Sequence, residues 1–110
     1  DFKENNEQML MFQKSEELIK INFAESIEKF KSTLKLNLNS SLAAAASLSI
    51  GYYYDQESLA DSALKYYRFT MDKYPNSEQS IIASERAEAI TFALSLIKPD
   101  SASSSGATAN

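Results

Sequence analysis

The sequence predicts an all-α fold: five helices joined by short turns and stacked as antiparallel hairpins. Three observations carry that expectation. Glycine and proline together make up four of the 110 residues, and two of those, Pro99 and Gly106, fall near the C-terminal end. An all-β chain of this length needs many more turn residues, whereas long helices with short joints need few breakers. Apolar residues recur at three- and four-residue steps, the period of one helix face. The polar breaks between those runs are short and rich in Asn, Ser, Asp and Pro, which suits caps and turns. The length fits one domain, able to bury roughly 60–70% of its unfolded surface.

The first helix is expected over residues 1–21, with Met9, Phe12 and Ile19 on one face and Met11 and Leu18 beside them. Asn22 interrupts the pattern. The second helix, 23–36, carries Phe23, Ile27, Phe30 and Leu34 as its stripe, with Glu25, Lys29, Lys31 and Lys35 off it. Asn37, Asn39, Ser40 and Ser41 supply joint and cap chemistry. The third helix, 42–54, contains four successive alanines, Ala43 to Ala46. Alanine favours helix and has almost no bulk, so neighbours can approach closely and this helix is expected at the centre. Asp55-Gln56-Glu57-Ser58 forms the next joint, and Ser58 with Asp61 resembles a capping box.

The fourth helix, 59–73, places Ala63, Tyr67, Thr70 and Tyr74 on one face, with Leu64 and Met71 adjacent. Pro75 ends it by pushing its predecessor out of helical geometry. Asn76 or Ser77 caps a fifth helix, 78–97, which Lys98-Pro99 stops. Residues 1–97 therefore form the helical domain. The tail, 98–110, holds small and polar residues that cannot anchor it, and is expected to be flexible.

The net charge of −4 does not favour nucleic acid or anionic lipid, because phosphate binding needs a basic field. There is no cysteine and no histidine. Disulfides, thiolate metal sites and the Cys–His and Ser–His nucleophile systems are therefore excluded. No glycine-rich phosphate loop exists, since Gly51 and Gly106 are isolated. What remains is carboxylate chemistry at Glu16 and Glu17 or at Glu85 and Glu88, and charges spaced this way suit solvated helix faces. Metal-binding bundles need Glu-x-x-His pairs, which this chain lacks. No enzyme activity, cofactor or metal is expected. The most apolar run, 42–54, is too short to span a bilayer and includes Ser47, Ser49 and Gly51.

The helices contain an internal repeat. Setting Tyr67 on Phe30 brings Thr70 onto Thr33, Met71 onto Leu34, Asn76 onto Asn39, Ser77 onto Ser40 and Ala63 onto Ser26. The first and third helices match less well, with Gly51 on Ser15 and Tyr54 on Leu18. Ile50, Gly51, Tyr54, Ala63, Tyr67, Thr70 and Pro75 follow the order and spacing of the tetratricopeptide repeat (TPR), a frame of about 34 residues beginning here at Ala44. The second unit resembles that family. Small residues at Gly51, Ala63 and Thr70 let two helices cross closely, Tyr54 and Tyr67 fill the gap, and Pro75 ends the hairpin. Ser47 stands where the family often has Trp, and Thr70 where it prefers Ala. In the first unit Lys14 and Leu38 occupy expected apolar and Pro positions. In the third, Glu85 and Glu88 occupy the small and Tyr positions, which fits a capping helix with a wetted outer face. The string YPNSEQSIIASERA is similar to repeats of periplasmic bacterial members, among them outer-membrane assembly lipoproteins and cell-division coordinators.

The resemblance implies a right-handed stack of two TPR-like hairpins plus a capping helix, and a non-catalytic protein–protein interaction module. Family partners bind the concave surface lined by the first helix of each hairpin. By position that surface holds Phe12, Leu48 and Ile82 at one level, Glu16, Tyr52 and Arg86 at the next, and Ile19 and Asp55 beyond. An apolar row beside a mixed polar row suits a peptide, an amphipathic helix or a neighbouring subunit. The competing reading is that Phe12, Leu48 and Ile82 merely pack on one another or on the tail. A homo-oligomer, an interaction domain of a longer protein, and a helical bundle closing on a small apolar ligand are alternatives. The implied location is the bacterial periplasm or cell envelope, with the cytoplasm as the alternative.

Overall fold

The computed structural model describes residues 2–97, and the expected tail at 98–110 lies outside them, with the Lys98-Pro99 stop. Among the described residues the chain is all helical: α1 Phe2–Leu18, α2 Phe23–Leu36, α3 Ser41–Gln56, α4 Ala60–Lys73 and α5 Glu78–Ile97. Each joint is three or four residues, too short for anything but an antiparallel return, so sequential helices pack as hairpins. α3 is the one helix whose backbone meets all four others within 8 Å, as its alanines and glycine permit.

Local chemistry sets the boundaries. Asn22 accepts from the Glu25 amide at 3.1 Å and starts α2. Ser40 accepts from Ala43 at 3.0 Å and starts α3. Ser77 accepts from Ser80 at 3.1 Å at the head of α5. The expected capping box at Ser58 does not form. Leu59 is the N-cap of α4 and has no side-chain cap bond. Ser58 instead closes α3: its amide donates to Asp55 O at 2.9 Å, and the Leu59 amide donates to Tyr54 O at 2.9 Å. That paired pattern is a Schellman stop, whose C′ residue must be left-handed, and Ser58 has φ 62°.

The α3–α4 crossing is close. A Cβ built on Gly51 would lie 2.8 Å from Tyr67 Cδ1 and 3.0 Å from Cε1, so the tyrosine ring lies directly on the glycine. One turn away, Ser47 and Thr70 hydroxyls are 2.8 Å apart, and both residues are fully buried. Two small hydroxyl residues thus face each other across the crossing and bond to each other there.

The α1–α2 crossing uses polar residues. The expected stripe of Met9, Phe12 and Ile19 is not the buried one: Met9 is 41% exposed, while Gln8 and Ser15 are fully buried. Ser26 donates to Ser15 O at 2.6 Å. The Ser15 and Thr33 hydroxyls donate to Met11 O and Lys29 O, one turn back on their own helices, at 2.8 Å each. Gln8 Nε2 donates to Thr33 O and Asn37 O at the end of α2, and Gln8 Oε1 accepts from Ser40. Every hydrogen-bonding group of the Gln8 amide has a partner, so its burial costs little.

Two layers result. α1, α3 and α5 form one, in which α3 touches both neighbours; α2 and α4 form the other, and their backbones do not meet. Aromatic rings fill the gap between α2 and α4. Tyr54, Tyr66, Phe69 and Tyr74 run edge to edge at centroid distances of 6.2 to 6.4 Å. They pack against Ile27, Phe30 and Leu34. Tyr74 OH donates to Leu38 O at 2.7 Å and ties the two hairpins. We call the layer of α1, α3 and α5 the inner layer and that of α2 and α4 the outer layer.

Gly51→Ala is expected to destabilise. Ala is the better helix former by about 1 kcal/mol, but the fully buried Tyr67 ring has no room to retreat, and overpacking costs about 1–3 kcal/mol. Ser58→Gly is expected to stabilise by about 1 kcal/mol, because a non-glycine left-handed residue is strained by that order. For a domain of this size that corresponds to a rise in Tm of about 4–8 °C. Thermal and urea unfolding of the two variants measure both signs.

Candidate functional site

The inner layer is built by the first helix of each hairpin, so side chains one turn apart on α1, α3 and α5 fall into rows across it. The eight residues expected there divide into two groups. Tyr52 and Ile82 are each 46% exposed, and Glu16 and Arg86 are also exposed. These four lie open on α1, α3 and α5.

The other four are partly or wholly taken up by packing. Phe12 meets Phe30 edge-on at 5.6 Å and is half-buried against the first core. Leu48 is half-buried against the second core, around Ala63, Tyr67 and Ala83. Ile19 is half-buried beyond the end of α1. Asp55 has a side chain only 12% exposed. Its Oδ2 accepts from Tyr67 OH at 2.9 Å and from Arg86 Nε at 2.9 Å.

That three-residue link was not anticipated, although the repeat contained a signal for it. Tyr67 lies over Gly51, and its ring points along α3 toward the next turn. The residue one turn after Gly51 is Asp55, where the phenol arrives. Burial first, then the hydrogen bond to Asp55, push the Tyr67 phenol above its ordinary value. The Asp55 hydrogen bond and charge raise the Arg86 guanidinium, which is therefore a permanent cation. Arg86 donates to Asp55 from Nε, and the Tyr67 phenol beside it adds a smaller contribution in the same direction.

Aromatic contacts continue the face toward α1. Tyr52 stands edge-on to Tyr53 at 5.2 Å, and Tyr53 stacks on Phe30 at 5.9 Å. Burial, then the charge of Glu16, raise the Tyr53 phenol, which places Glu16 beside that pair. α1 and α5 stand on opposite sides of α3 without meeting. The three helices thus lie side by side, with α3 in the middle. At the α5 end of this face a cleft of about 330 Å³ is walled by Ala89, Ile90, Ala93 and Ile97, with Asp55 and Arg86 at its rim. Among the described residues no three acidic side chains converge as a metal site would need, and no helix is long and apolar enough to cross a membrane.

The Tyr67–Asp55 bond has a pH signature. A phenol whose folded value is raised contributes stability that is full below its unfolded value, about 10, and is lost as pH rises through the folded value. Unfolding free energy is therefore expected to fall above about pH 10, and Tyr67→Phe is expected to flatten part of that fall. At pH 7 the same variant should cost about 1–3 kcal/mol, the range for a hydrogen bond to a charged group. Arg86→Ala, on the exposed side, should cost at most about 1 kcal/mol. Urea unfolding from pH 7 to 11 measures all three. No family model, no curated protein and no solved structure matches the chain.

Proposed function

We propose that the chain is a non-catalytic protein–protein interaction module of tetratricopeptide type, a scaffold or subunit that takes a segment of a partner on its inner face. The observation that supports this best is the combination at that face. Tyr52 and Ile82 offer apolar contact on adjacent helices, while Glu16 and Arg86 flank them with opposite charges. Arg86 is already held by Asp55. Tyrosine and arginine are the residue types most enriched where binding energy concentrates. An open apolar strip with a polar border suits an extended peptide or one face of an amphipathic helix.

The family assignment rests on the close crossing of α3 and α4 at Gly51, Ala63, Tyr67 and Thr70, the positions the repeat pattern singles out. The location we propose is the bacterial envelope. It is carried by the Tyr74-Pro75-Asn76-Ser77 joint and the alanine-bearing helix after it.

Cross-linking tests the face directly. A photo-reactive residue at position 52 or 82 is expected to capture the partner from the native source, and one at Lys65, on the outer layer, is not. Tyr52→Ala and Arg86→Ala should each weaken binding of the captured partner by about tenfold or more, the effect of a central contact residue. Unchanged affinity in both variants, with cross-links from Lys65, would place the partner elsewhere.

A further inference from the structure

The edge of the stack formed by α4 and α5 is unfinished. α1 is covered by α2, and α3 by α4, but the corresponding side of α5 carries no helix among the described residues. Ile81, Glu85, Glu88, Phe92 and Leu96 follow one another along that side at helical spacing. Ile81 is 62% exposed, Phe92 66% and Leu96 65%. The wetted outer face expected of a capping helix is therefore only its middle, where the two glutamates sit. Between α5 and α4 the same edge opens a cleft of about 490 Å³, walled by Met71, Ala87, Thr91 and Phe92, with Arg68 and Glu88 also lining it. Arg68, Glu85 and Glu88 are exposed and have no ion-pair partner among the described residues.

An occupant of this edge has to bring apolar bulk and charges of both signs. Residues 98–110 cannot supply it, since they hold no aromatic residue and no Leu, Ile, Val or Met. The edge itself holds what is needed. Phe92 projects as a knob, the cleft beside it is a hole, and one unpaired cation lies across that cleft from one unpaired anion. A patch with a knob, a hole and both signs can pair with a copy of itself, which is what a two-fold interface demands.

We propose that two copies of the chain pair through their α4–α5 edges about a two-fold axis. Phe92 of each copy seats in the cleft of the other, and Arg68 of each faces Glu88 of the other. The strip is a single helix long, about 30 Å for 20 residues. A strip this short falls at the small end of specific interfaces, so the pair is expected to form reversibly and to dissociate on dilution. The inner face stays open in both copies, and the dimer presents two of them to a repetitive or dimeric partner.

Sedimentation equilibrium of the full chain, from about 10 μM to about 1 mM, tests the pairing. The expected average mass rises from the monomer to twice the monomer and no further. Phe92→Glu should remain monomeric throughout, with its dilute unfolding midpoint unchanged because the side chain is exposed. Arg68→Glu should weaken the dimer about tenfold, and adding Glu88→Arg to it should restore the original affinity. A monomer at every concentration overturns the proposal. So does growth beyond the dimer, which requires two unlike faces, as do a dimer that survives Phe92→Glu and a charge swap that fails to rescue.

Discussion

The contact on which the rest of the structure depends is Tyr67 lying on Gly51. The ring occupies the space a Cβ would need, so it fixes how closely α3 and α4 approach. The same ring is long enough to carry its hydroxyl one helical turn further, to Asp55. At the other end of the crossing, Thr70 meets Ser47. Three contacts along one line set both the separation and the angle of the hairpin. α5 is then positioned against that hairpin by Ala83, Ala87 and Ile90, which pack with Ala63 and Tyr67 in one core. A wider crossing would carry the phenol away from Asp55 and leave Arg86 without the acceptor that holds it.

The two sides of the stack differ in bulk. On the side of α1, α3 and α5 the backbone of α3 meets those of both neighbours. On the other side the aromatic run from Tyr54 to Tyr74 separates α2 from α4. Two lysines lie over the Tyr66 ring, Lys65 at 5.7 Å and Lys31 at 6.0 Å, and cover part of that aromatic surface with charge. The outer layer is thereby closed and polar-tipped. The inner layer keeps Tyr52 and Ile82 uncovered.

Much of this was legible in the sequence, because the governing signals are local. The Ile27, Phe30 and Leu34 stripe, the break at Asn22, the cap at Ser40 and the stop at Pro75 each act within a turn or two. The inward face of α1 was not legible, since hydropathy marks Gln8 and Ser15 as surface residues. Ser15 donates to Met11 O on its own helix, and Gln8 donates to Thr33 O near the end of α2 and accepts from Ser40 beyond it. The partners of Gln8 cannot be seen from α1 alone. Ser58 was misassigned for a related reason. A serine before a helix reads as a cap, and nothing local shows that the preceding helix needs a left-handed residue more. The residues that sequence reasoning assigned to the face do fall on α1, α3 and α5 or just beyond α1. The sequence did not separate Tyr52 and Ile82, which stay open, from Phe12 and Asp55, which are drawn in by Phe30 and Tyr67 across other helices.

Asp55 shows what such a separation means for the structure. It sits at the end of α3, accepts from α4 through a buried phenol and from α5 through Arg86, and so joins three helices at one oxygen. An arginine left to itself on a helix loses several rotamers when it binds, and that ordering opposes association. In Arg86 part of that freedom is already lost at folding, because Nε is anchored on Asp55. The cation is thus held in place by the same crossing that holds the hairpin together. A change at Gly51 or Tyr67 would be felt at the face without touching it, because the core and the face share one hydrogen-bonded residue.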